Sequence, residues 1–181
     1  MNNKNLFMKL DDKYIKELII LKLKKYYEFV KGEEYKNSFI NLTITYGYSD
    51  FIEMLSRIAL EKVVERIREI SEQGKVRILF NEEIKINNKK GDLLKTCDVI
   101  LFTNETVEVI RIVPMELDII NVNNDDESMI LGIGVIDKFA TQMDCKYINL
   151  TVIQPNLITT SIYETSINKF LHEYDFSLIW S

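Results

Sequence analysis

At Gly74 the hydrophobic period of this chain changes, and that change limits the folds open to it. Before the glycine, Phe51, Leu55, Ala59, Val63, Ile67 and Ile70 recur every three or four positions, which is the apolar stripe of one helix face. After it come "KVRILF", "EEIKI", "TCDVILF" and "TVEVIRIV", short runs rich in β-branched and aromatic residues and separated by polar turns such as "NNKKGD" and "TNE". For a chain that carries both periods, helices packed on a central sheet fit better than a pure helical bundle or a β-sandwich.

The flanking segments extend this pattern. Asp11 or Asp12 can cap a first helix whose apolar residues Ile15, Leu18, Ile19, Leu23, Tyr26 and Val30 continue to Gly32. Asp50, with Glu53 three residues on, has the spacing of a capping box for the second helix, and Gly74 closes it. Beyond the strands an acidic connector, "NVNNDDE", leads into "SMILGIGVIDKFATQM", where Met129, Ile133, Ile136 and Ala140 share a helical face. "KYINLTVIQP" reads as a buried strand stopped by Pro155, "SIYET" as a further strand, and Ser166 as the cap of a terminal helix "INKFLHEY". The predicted class is therefore α/β of the α+β kind, with a central mixed β-sheet flanked by helices. Its predicted core includes Ile58, Val63, Ile67, Val99, Leu101, Val109, Ile133, Leu150 and Val152. No internal repeat or low-complexity linker interrupts the 181 residues, so one compact unit is expected.

Composition narrows the chemistry. A chain of this length buries roughly 70% of its unfolded surface, enough for a real core, and 46% hydrophobic beside 28% charged residues is a globular balance. No stretch approaches the roughly 20 apolar residues of a membrane span, so the expectation is a cytoplasmic protein with no membrane partner. Cys97 and Cys145 lie far apart, and His172 is the only histidine, too few ligands for a zinc site. The net charge of −5 opposes coating of nucleic acid by bulk electrostatics. A local basic face is still open: Lys22, Lys24, Lys25 and Lys31 on the first helix could reach phosphates, or could simply be its solvated side. Tyr46 and Tyr48 flank Gly47 and are either exposed contact residues or rings packed on the body. "GIGVID" lies inside an amphipathic helical pattern and lacks the strand and final glycine of a dinucleotide loop, so no cofactor is expected.

Four segments in order, "GDLLKTCDVILFTNETVEVIRIV", "ESMILGIGVIDKF", "INLTVIQPNL" and "YETSINKFL", resemble the phage-associated relatives of RecB-type nucleases in the PD-(D/E)XK superfamily. This branch is itself a domain of unknown function. The resemblance spans about residues 50–175 and implies a restriction-endonuclease-like core over 49–181, with 1–48 as an added N-terminal helical extension. In such nucleases a carboxylate on one strand and a (D/E)-x-K pair on the next hold Mg²⁺ and assist the attacking water.

Carried onto this chain, the first carboxylate falls on Asp98, the second on Arg111, the lysine on Val113, and a glutamine of the following helix on Glu127. A guanidinium repels a cation where a ligand belongs, and an isopropyl group cannot assist a hydroxide. Glu108 points to the opposite strand face from Arg111, and Glu116 lies beyond Pro114. Asp98 and Arg111 should then face each other across adjacent strands, with an ion pair between them as one outcome. The resemblance thus implies a catalytically inert nuclease-like protein of phage or mobile-element origin. It would act by binding a host nuclease such as a CRISPR effector, or its nucleic acid, as an anti-CRISPR inhibitor does. The alternatives are a Mg²⁺-dependent nuclease using Asp98 with Glu108 or Glu116, and a non-catalytic accessory protein of phage recombination. A homodimer is compatible with any of these.

Overall fold

A computed structural model describes residues 3–86, 91–139 and 145–164. The predicted terminal helix, Ser166, His172 and Ala140 lie outside the described residues. The chain forms two compact units, one of residues 1–69, 112–119 and 153–157, the other of 70–111, 120–152 and 158–181.

The first unit is built on three helices, α1 (Asn3–Val30), α2 (Ser38–Tyr46) and most of α3 (Tyr48–Ser71). Helix α1 starts well before Asp11. Its Ile15, Ile19, Leu23 and Val30 are buried at helical spacing, and Lys16 ties it to α3 through a 2.6 Å ion pair with Glu53. Helix α2 is absent from the sequence expectation. Asn37 caps it by accepting from the backbone N–H groups of Phe39 and Ile40, at 2.9 and 3.3 Å, and it buries Phe39, Ile40 and Thr43. Gly47, at φ 88°, makes the break between α2 and α3 that a residue with a Cβ would resist. In α3 the whole predicted stripe from Phe51 to Ile70 is buried. Ile58 is only half-buried, because it sits about 100° around the helix from Ala59 and so on the flank of the stripe.

The second unit carries a five-stranded sheet in the order β1 (Arg77–Ile86), β2 (Leu93–Phe102), β3 (Thr106–Ile112), β4 (Tyr147–Ile153), β5 (Ile158–Glu164). β1–β2 and β2–β3 are antiparallel. β3 and β4 advance together, since Glu105 accepts from the N–H of Tyr147 and Glu108 from the hydroxyl of Thr151. That makes them the parallel pair of a mixed sheet, joined by the crossover that parallel strands require. A short connection, with the N–H of Gln154 on the carbonyl of Leu157, returns the chain as β5.

"KVRILF" and "EEIKI" are one strand and not two: Asn81 bridges them at φ 51°, a left-handed conformation that asparagine tolerates better than most residues. Helix α4 (Asp126–Phe139) belongs to this unit and lies against β1. It is buried continuously from Ser128 to Ile136, where the sequence expectation had one apolar face. Close approach is possible because Gly134 has no side chain; a Cβ there would meet Ile84 Cγ2 at 2.3 Å. Apart from Ile58, every predicted core residue is buried.

Candidate functional site

The register of β2 on β3 settles how the two main candidates stand. Val99 faces Ile110, Ile100 faces Val109 and Leu101 faces Glu108. One residue further along the same register brings Asp98 opposite Arg111. Directly opposed residues of an antiparallel pair project to one face with their Cβ atoms about 4.5–5.5 Å apart. Asp98 is buried, at 4% exposure. On its other side the β1 register, which pairs Phe80 with Val99 and Glu82 with Cys97, sets it level with the left-handed Asn81.

The guanidinium of Arg111 is taken up by Asp125, a carboxylate of the acidic connector before α4. Its Nε donates to Asp125 Oδ2 at 3.0 Å, and Nη2 donates to Oδ1 and Oδ2 at 2.7 and 2.6 Å. Both side chains are largely shielded, at 20% and 12% exposure. Asp125 is also the N-terminal cap of α4: it accepts from the N–H of Ser128 at 3.3 Å and from the Ser128 hydroxyl. This carboxylate thus accepts five hydrogen bonds, four of them on Oδ2 and one on Oδ1, with the charge of the guanidinium against it.

A second ion pair stands beside the same helix start. Lys95 of β2 donates to Glu127, in the first turn of α4, at 2.7 Å. Two strand cations thus neutralise two carboxylates at one helix N-terminus. Among the described residues, no group of three or more His, Cys, Asp or Glu is placed to hold a metal ion.

Glu108 and Arg111 engage different neighbours, as strand alternation requires. Glu108 is buried and accepts from Thr151 Oγ1 of β4 at 2.6 Å, and Thr151 is in turn 3.0 Å from Thr160 of β5. Val113 follows the end of β3 in the other unit, where it is buried and its N–H donates to the carbonyl of Ile153 at 2.8 Å.

The proposed contact residues of the helical unit are dispersed. Lys22 is half-buried and donates from Nζ to the carbonyl of Ile112 at 3.0 Å. Lys24 and Lys25 are exposed, but Lys24 projects about 160° around the helix from Lys22, so the three do not share one face. Lys31 pairs with Glu28 at 2.9 Å, which raises its pKa. Tyr46 is exposed, with its ring stacked on Phe51 at 6.4 Å. Tyr48 packs against Tyr27 at 4.4 Å, and burial, followed by the charge of Glu28, pushes its phenol above the ordinary value.

Comparison with known proteins places the chain. Over residues 13–176 it matches a family described as "Protein of unknown function (DUF2800)". The chain belongs to the DUF2800 family. No curated protein matches it. A solved structure described as "Crystal structure of SSO0001" aligns with 88% of this chain and 70% of its own, at 14% identity and a TM-score of 0.34. So slight a likeness carries no argument. In this DUF2800 chain no described helix is long and apolar enough to cross a membrane.

Proposed function

We propose that this chain acts by contact and not by catalysis, as a nuclease-like protein in which an ion pair has taken the place of a metal. The observation that carries this reading is the bidentate Arg111–Asp125 pair, on the strand opposite Asp98. An arginine there supplies a fixed positive charge, and Asp125 balances it, so that guanidinium and that carboxylate are neutralised as a pair with no ion between them. Hydrolysis of a phosphodiester needs a hard cation held by several oxygens to polarise the phosphate and deprotonate water. Asp98, with an arginine opposite it in the strand register, is poorly suited to that. The resemblance to phage-associated RecB-like proteins supports a setting in phage or mobile-element biology. Within it we assign a protein partner, a host defence nuclease of the CRISPR-effector kind, bound stoichiometrically.

Adding the purified chain to such an effector tests the assignment. Cleavage by the effector should fall in proportion to added chain and stop at a fixed molar ratio, with the two proteins co-eluting. Asp98→Ala should inhibit equally well, since binding through an outer surface does not use the degenerate site. A panel of effectors that neither retain the chain nor lose activity would reject the inhibitor reading and favour an accessory role in recombination.

A further inference from the structure

We draw no further inference here: the strongest candidate, the surface patch along edge strand β5 around the exposed Ile162, where no charged residue precedes Glu164, carries nothing because nothing among the described residues shows what covers it.

Discussion

Replacing Gly134 by alanine sets two effects of opposite sign against each other, and the structure decides which prevails. Alanine is the better helix former by about 1 kcal/mol, and on propensity alone the change would raise stability. The added Cβ, however, would lie 2.3 Å from Ile84 Cγ2 and 3.0 Å from Ile86 Cγ1. Cγ2 is a methyl fixed directly to the Cβ of a fully buried residue and cannot swing away as the end of a long side chain could. Either α4 lifts from β1 or Ile84 leaves its rotamer, and overpacking of this kind costs roughly 1–3 kcal/mol. The net expectation is a loss of up to about 2 kcal/mol. For a chain of this size that lowers Tm by up to about 8 °C. Thermal melting of Gly134→Ala, Ile84→Ala and the double variant measures it. Ile84→Ala is destabilising alone through the cavity it leaves, yet it removes the obstructing methyl, so the double variant should lose less than the sum of the singles. A Gly134→Ala protein that melts higher than the unmodified chain, or strictly additive losses, would refute the close approach of α4 to β1.

Two further outcomes follow from the side chains around the candidate site and in the helical unit. Asp125→Ala removes both the α4 cap and the partner of a largely shielded arginine, and should cost about 2–3 kcal/mol; Asp125→Asn keeps a capping oxygen and should lose less, and equal melting of all three proteins would remove Asp125 from its assigned role. Tyr48 ionises above the ordinary tyrosine value because its phenol is shielded, so its contribution to stability is complete below pH 10 and is lost as pH rises through the elevated folded value. The absorbance difference between the unmodified chain and Tyr48→Phe should place that titration late, and a titration at the ordinary value would contradict the packing on Tyr27.

What the sequence made legible was whatever local periodicity carries. The α3 stripe, the hairpin around "TNET" and the strand "YINLTVI" follow from spacing and alternation, and the structure places them so; the opposition of Asp98 to Arg111 came from the family resemblance alone, and the β2–β3 register extends to it. Helix α2 escaped because nine residues give too few turns for a period to stand out; its one local signal was Asn37 ahead of "SFI". Asn81 reads as a break because polar residues usually interrupt strands, whereas the ladder continues on both sides of it. The partners of the site residues were hidden for a different reason. Arg111 meets Asp125 and Lys95 meets Glu127 across 14 and 32 positions of chain. Such pairs depend on where α4 begins relative to β2 and β3, and no window of sequence records that distance. The same charges that solvate a helix start in isolation become the clamps that hold it.

The account turns on whether the Asp98–Arg111–Asp125 region can assemble a cation site, and a cleavage assay with the purified full chain addresses that directly. Single- and double-stranded DNA, each incubated with the chain and Mg²⁺ or Mn²⁺, should remain intact, because a guanidinium already neutralises the carboxylate it meets. Metal-dependent cleavage that disappears in the Asp98→Ala variant would contradict the account and make this chain an enzyme.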